Sequence, residues 1–263
     1  MAEREGEVKL STAIRTCDDS QLCAELSGET EGIAFHALYH GDPPSRTVAE
    51  CDNFALVVDI APLSLGHTLL VPRDHYINFG TIPSKIRDEL DSFREACVAL
   101  ISERYGTPTV LEHGSSSAMR GSACISHAHW HLIPGIESSV QIFERDGLCG
   151  ESINSWQDLC AVAELDRPYI YYNFGATHHV YSANLSKRHQ YIRMVIAEVL
   201  GIAEPEWDWA LSRNPEFLRA TVKELAHGTA DDELSSYFGR RTNGGWKDNA
   251  RHWACQSLWM FVP

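Results

Sequence analysis

The order of apolar periods in this 263-residue chain predicts an α+β fold. The expected architecture is an antiparallel sheet covered by one long helix, with a mainly helical C-terminal subdomain after it. Three observations carry the expectation. Short Val- and Leu-rich runs bounded by Pro or Gly lie before residue 72 and again after residue 108. One long stretch between them has three- and four-residue apolar spacing. After about residue 150 most segments again read as helices.

Taken in order, residues 1 to about 30 are polar and mixed, with Cys17 and Cys23 as their notable side chains. Thr47–Cys51, Phe54–Asp59 and His67–Val71 read as strands, because the runs are short, branched and punctuated by the turn Ala61-Pro62-Leu63-Ser64-Leu65-Gly66. Ser84 to Tyr105 places Ile86, Leu90, Phe93, Cys97, Leu100 and Ile101 on one helical face. Ser84 follows Pro83 as a candidate N-cap, and Gly106 supplies the stop. Thr109–Leu111 and Cys124–Ile133 read as two more strands, joined by a Ser- and Gly-rich loop. Trp156–Leu165, Lys187–Leu200, Pro215–Ala226 and Asp231–Phe238 read as helices, and Tyr169–Phe174 as a short aromatic strand.

Bulk composition narrows the function. Hydrophobic residues at 44% are enough for a real core. A formal net charge of -14 argues against an extended nucleic-acid partner, which needs surplus Lys and Arg. A small phosphorylated ligand is still compatible. The first ten residues carry no apolar signal core, and no run of about 18 apolar residues occurs. The expectation is a cytoplasmic protein, without a membrane partner, whose eight cysteines are reduced.

The sharpest chemical feature is Ile125-Ser126-His127-Ala128-His129-Trp130-His131-Leu132-Ile133. On a strand alternate side chains share a face, so three imidazoles would line up over ~14 Å while Ala128, Trp130 and Leu132 face the core. Three buried imidazoles are costly unless used. Two uses fit the pattern. Alternating histidines can present nitrogens to a metal. Alternatively one imidazole attacks phosphorus while a neighbour protonates the leaving group.

Two motifs give this chain a family resemblance. His127-Ala128-His129-Trp130-His131-Leu132-Ile133 resembles the signature of the histidine triad (HIT) family of nucleotide hydrolases and transferases. Asp59-Ile60-Ala61-Pro62, followed by Gly66-His67-Thr68-Leu69-Leu70-Val71-Pro72-Arg73-Asp74-His75, resembles that family's first strand pair. Glu112-His113-Gly114 and Gln190 to Arg193 are similar to larger HIT-like proteins with a C-terminal extension. The HIT-like catalytic domain would then span residues 15–145 and the mainly helical extension 150–263.

The resemblance implies hydrolysis of a nucleotide derivative at its α-phosphorus through a covalent nucleotidyl-histidine intermediate. A phosphoramidate or dinucleoside polyphosphate would serve as substrate. The alternatives are a nucleotidyltransferase using phosphate or a sugar phosphate as acceptor, or a catalytically weak nucleotide-binding protein. His129 would be the nucleophile, His131 would assist the leaving group, and His127 would orient the row. Asp59 would meet the ribose hydroxyls, and Ile60 with Phe54–Val57 would wall the base pocket. Glu112 stands where the family usually has Asn, close enough in this reading to hydrogen-bond an imidazole. Cys124 replaces a Ser or Thr, with Ser122 as its substitute phosphate donor.

No cofactor is implied for catalysis. The resemblance does imply a structural zinc site on Cys23, His75 and His127, with Ser20 standing where a further Cys is expected. It also leaves room for a homodimer. Remaining polar features read as structural: His113 as a loop residue, His178-His179 at a turn, and Lys187, Arg188 and Arg193 on a solvated helix face. Trp246, Trp253 and Trp259 read as residues that dock the tail.

Overall fold

A computed structural model describes residues 20–117, 125–183, 190–204 and 206–228, with backbone alone at 227 and 228. Eight strands form one antiparallel sheet in the order β1-β2-β3-β5-β4-β7-β8-β6. They are β1 (Thr47–Glu50), β2 (Phe54–Val58), β3 (Thr68–Pro72), β4 (Pro108–Gly114), β5 (Trp130–Pro134), β6 (Gly150–Ser152), β7 (Tyr169–Phe174) and β8 (Thr177–Ser182). The helices are α1 (Gln21–Ser27), α2 (Ala34–Tyr39), α3 (Arg87–Tyr105), α4 (Ser139–Arg145), α5 (Leu159–Glu164), α6 (Tyr191–Leu200) and α7 (Pro215–Gly228).

The long helix covers one face of the sheet, as its periodicity predicts. Leu90, Phe93, Cys97, Leu100 and Ile101 of α3 pack with Leu56, Val58, Leu70, Val110, Trp130, Leu132, Tyr169 and Tyr171. Helix α3 itself begins at Arg87, because Ser84–Ile86 form a separate 3-10 turn and Ser84 makes no cap. The opposite face is covered in two pieces. Leu111, Ile133, Ile170 and Tyr172 lie with Ile142 and Phe143 of α4 and Ile192, Val195 and Ile196 of α6. Ala55, Val57, Leu69 and Val71 lie with Leu22 of α1. Strands β2 and β3 are therefore buried on both faces, which is why they read as continuous apolar runs despite antiparallel pairing.

Residues after 150 supply the helices α5, α6 and α7, and they also complete the sheet. Strand β7 pairs with β4 from Val110↔Asn173 to Gly114↔Tyr169, and β8 and β6 follow outward. The sheet is thus continuous across residue 150. A period-2 aromatic strand such as Tyr169–Phe174 needs a neighbour for its backbone, and β4 offers the open edge. Because this chain fills that edge itself, β1 and β6 are the outer strands among the described residues. His178 and His179 lie on β8 rather than at a turn, since Gly175 and Ala176 make the turn. Tyr171 Oη is 2.8 Å from His178 Nδ1.

The extension also grips the turn between β2 and β3. Asn214 Nδ2 donates to the Pro62 carbonyl at 3.0 Å, and the Gly66 amide donates to Thr221 Oγ1 of α7 at 3.1 Å. Gly66 has φ +78°, and a Cβ there would stand 2.7 Å from the Tyr105 ring. Only glycine meets both demands. The helix expected over Asp231–Phe238 and the tryptophans 246, 253 and 259 lie outside the described residues.

Candidate active site

The triad does not run as one strand. The β3–β5 ladder stops at Leu70↔Trp130, so His131 is on β5 while His127 and His129 lie in the segment before it, which bends through residues 125–127. The next turns of the ladder would need an amide hydrogen from Pro72, which proline lacks. A side chain takes over: His127 Nε2 donates to the Pro72 carbonyl at 2.7 Å. The Ala128 amide donates to the Tyr76 carbonyl at 2.6 Å and ties the segment in place. His131 keeps the face expected of it, beside its register partners Leu69 and Leu111 and between the two apolar clusters. Trp130 and Leu132 face α3.

Hydrogen bonds assign the tautomers of the neutral rings. His129 Nδ1 is 2.7 Å from the His127 carbonyl, so Nδ1 carries the hydrogen and Nε2 carries the lone pair. The Leu63 amide donates to His67 Nδ1 at 3.2 Å, so the hydrogen of His67 is on Nε2. His67 Nε2 is 3.0 Å from His131 Nδ1 and donates to it, which leaves His131 with its hydrogen on Nε2. The His129 and His131 rings lie edge to face, 5.0 Å apart. One therefore offers a nucleophilic nitrogen and the other an N–H.

Burial favours the neutral rings. His129 is 4% exposed and His131 5%. Desolvation lowers the pKa of His129, partly opposed by the bond to the His127 carbonyl. Desolvation, then the neighbouring His129 and His67, hold His131 well below the usual imidazole range. Burial likewise brings His67 down to about 4.

His127 turns its other nitrogen toward Cys23 and His75. Cys23 Sγ is 3.2 Å from His127 Nδ1 and 3.3 Å from His75 Nδ1. These three ligand atoms all lie within 4.8 Å of one another. The spacing is near the ~3.6 Å that tetrahedral zinc imposes between sulfur and nitrogen. The bond from His127 Nε2 to Pro72 leaves Nδ1 as a lone pair, which is the tautomer a metal ligand needs. Helix α1 brings Cys23 to this place. Ser20 caps it, and Glu25 takes a two-pronged bond from the buried Arg46 at 2.7 and 2.8 Å. Ser20 Oγ is occupied by the Leu22 amide.

Several residues expected in the site are elsewhere or differently engaged. Glu112 faces α3, because on β4 alternate residues change face and His113 takes the histidine side. Its carboxylate accepts from the Phe79 amide at 2.8 Å, Trp130 Nε1 at 3.1 Å and Tyr169 Oη at 2.9 Å. It touches no imidazole through these bonds, and burial raises its pKa to about 7. Asp59 is buried under the extension. Its Oδ1 accepts from the Ala61 amide at 2.8 Å and from Arg193 Nη1 at 3.2 Å, and the residue is 4% exposed. Burial opposes its charge, but His67 and Arg193 hold the carboxyl well below the usual range. Ile60 is half-buried, with its carbonyl taken by Tyr39 Oη at 2.6 Å. Phe54–Val57 are wholly buried and line no open pocket. Ser122 and Cys124 lie outside the described residues, as do Cys17, Lys187 and Arg188.

Three residues of the site were missed or read as structural. His67 stands on the histidine face and bonds His131. Arg193 is buried at 4% exposure rather than solvated, and it neutralises Asp59. His113 is on β4 rather than in a loop, two residues beyond Leu111 on the same face, and its buried Nε2 has no hydrogen-bond partner among the described residues. The parity of β4 could have placed His113; nothing local could have placed Arg193.

Comparison with known proteins finds one family's domain over part of this chain. Residues 40–138 match the family profile of the HIT domain. The chain carries a HIT domain. An uncharacterized HIT-like protein of Methanocaldococcus jannaschii is 27% identical over 110 residues, 41% of this chain and 82% of that one. The adenosine 5'-monophosphoramidase of Schizosaccharomyces pombe is 29% identical over 101 residues, 38% of this chain and 71% of its own length. A hypothetical histidine triad nucleotide-binding protein of Sulfolobus tokodaii is a structural neighbour at 26% identity and a TM-score of 0.30. That likeness covers 38% of this chain and 66% of the neighbour. The HIT domain holds all the triad histidines, while α6, β7 and β8 lie beyond its matched span.

Proposed function

We propose that this HIT-domain protein hydrolyses a nucleotide derivative at the α-phosphorus, with His129 as nucleophile and His131 as proton donor. The observation that carries the proposal is the pair of opposite tautomers. His129 presents a bare Nε2 because its Nδ1–H is held by the His127 carbonyl, and His131 presents Nε2–H because His67 donates to its Nδ1.

Attack by His129 Nε2 forms a P–N bond as the bond from phosphorus to the leaving group breaks. The leaving atom takes the proton of His131 Nε2 as His131 Nδ1 draws on the His67 Nε2–H, and the negative charge left on this ring pair offsets the positive charge formed on His129. Water then attacks the nucleotidyl-imidazole, His131 Nε2 takes a proton from that water, and the P–N bond breaks. The His127 carbonyl steadies the positive charge that grows on His129 during each step. His113 Nε2, buried and without a partner among the described residues, would donate to a phosphate oxygen when it carries the ring's hydrogen. The adenosine 5'-monophosphoramidase among the relatives supports an amine as leaving group.

The Cys23, His75 and His127 group is assigned to zinc as a structural ion. When bound it would tie α1 to the segment that carries His129, and the phosphorus chemistry proceeds without it.

The test is turnover of a panel: adenosine phosphoramidate, a dinucleoside polyphosphate and a nucleotide sugar, each with and without added phosphate. Nucleotide release is followed by mass spectrometry. We expect release without an acceptor, abolished in His129→Ala. Turnover that survives in His129→Ala overturns the assignment, and turnover only with acceptor makes the protein a transferase.

A further inference from the structure

We propose that Arg193, carried by α6 of the C-terminal extension, is a positioning residue. By neutralising Asp59 it directs the proton of His67 to His131 and so keeps Nε2–H of His131 free for the leaving group. The inference rests on the reading of His131 as proton donor given above.

The argument begins with one N–H and two acceptors. His67 Nε2 is 3.0 Å from His131 Nδ1 and 3.7 Å from Asp59 Oδ2. The other nitrogen of His67 is taken by the Leu63 amide, so His67 has only this hydrogen to give. A buried carboxylate with no counter-charge is the stronger acceptor, because charge-assisted bonds are about twice as strong as neutral ones. It would draw the His67 hydrogen to itself. His131 Nδ1 would then lose its donor, the Nδ1–H tautomer would become available, and Nε2 would have no proton to give.

Arg193 removes that competition. Its Nη1 lies 3.2 Å from Asp59 Oδ1, its Nη2 donates to the Ala61 carbonyl at 2.7 Å, and its Nε donates to the Trp207 carbonyl at 3.0 Å. The guanidinium is thereby fixed from three sides, with both partners of the ion pair nearly fully buried. Truncating one partner of such a pair leaves an uncompensated charge, so Arg193 acts on the whole Asp59–His67–His131 chain. The ligand atoms of these same three residues lie within 4.8 Å of one another. His67 Nδ1 is taken by the Leu63 amide, His131 Nδ1 by His67, and Asp59 Oδ1 by Ala61 and Arg193, so the positive charge that faces Asp59 here is a guanidinium.

The assay is the long-range 1H–15N correlation spectrum of the histidine rings in the full-length protein, which reports which nitrogen carries hydrogen. It is recorded for wild type, Arg193→Met, Arg193→Lys and the double variant Asp59→Asn/Arg193→Met, with urea unfolding of each as a folding control. Wild type should show His131 protonated on Nε2. Arg193→Met should shift His131 toward the Nδ1–H form. Arg193→Lys keeps the charge and should retain the wild-type form. The double variant removes the competing charge and should restore it. On the best panel substrate Arg193→Met should lower kcat about tenfold or more with KM nearly unchanged, and Lys should recover most of the loss. An Nδ1–H His131 in wild type, or an unchanged His131 in a folded Arg193→Met, overturns the inference. If Arg193→Met does not fold, the double variant decides: an Nδ1–H form there also overturns it. Wild-type tautomers as stated with no turnover of any panel substrate would sink the proposed activity and leave the proton routing standing.

Discussion

Replacing Glu112 with Gln should change how stability depends on pH, by an amount that follows from the site of the carboxylate. Glu112 is 2% exposed between β4 and α3, and burial raises its pKa from 4.5 to about 7. A carboxyl whose folded pKa is raised stabilises fully below pH 4.5, and that contribution is lost as pH rises toward 7. The whole shift corresponds to about 3 kcal/mol at about 1.4 kcal/mol per unit. Between pH 5.5 and pH 8 roughly 2 kcal/mol of it should disappear.

Gln cannot ionise, so its stability carries no such loss. It faces the Phe79, Trp130 and Tyr169 donors with one carbonyl oxygen instead of two carboxyl oxygens, a pH-independent cost of about 1–3 kcal/mol. The histidines titrate identically in both proteins and cancel in the comparison. Urea unfolding at pH 5.5, 6.5 and 8 measures the gap. We expect Glu112→Gln to be less stable than wild type at pH 5.5 and to gain about 2 kcal/mol on it by pH 8. A gap that stays constant across this range would show that Glu112 ionises normally, and the reasoning from burial would be wrong.

Other consequences can be measured on the same protein. Burial lowers His67 and His113 from 6.5 to about 4, so each contributes stability that is present above pH 6.5 and lost as pH falls toward 4. His113→Leu should therefore flatten the acid limb of a stability profile by about 1.4 kcal/mol per pH unit, and an unchanged slope would contradict the burial of that ring. Protein prepared with zinc should hold about one equivalent by elemental analysis. Cys23→Ser should release it, and metal retained in that variant would remove Cys23 from the ligand set. Gly66→Ala meets both a positive φ and a ring carbon at 2.7 Å, so chemical denaturation should show a loss of roughly 1–3 kcal/mol; a neutral result would mean that Tyr105 moves aside easily.

Chain order alone determines whatever is encoded within a few residues. The histidine segment, the Asp59–His75 motif pair and the single amphipathic helix are local patterns, and each led to the right layer of the fold. That His129 and His131 stand side by side was legible in their alternate spacing, and their rings lie 5.0 Å apart. Local pattern ran out where a backbone group or a distant partner intervened. Pro72 ends the ladder and hands His127 to a carbonyl, and the parity of β4 sends Glu112 away from the imidazoles and His113 toward them. Asp59 was read as a sugar contact because its partner lies 134 residues further along the chain. No periodicity encodes that meeting. It arises because α6 seeks cover for its apolar face on the same side of the sheet as the histidines, and a buried carboxylate there requires a buried cation. Sequence set the imidazoles in order along the chain; tertiary packing decided which nitrogen of His67, His127, His129 and His131 holds the hydrogen.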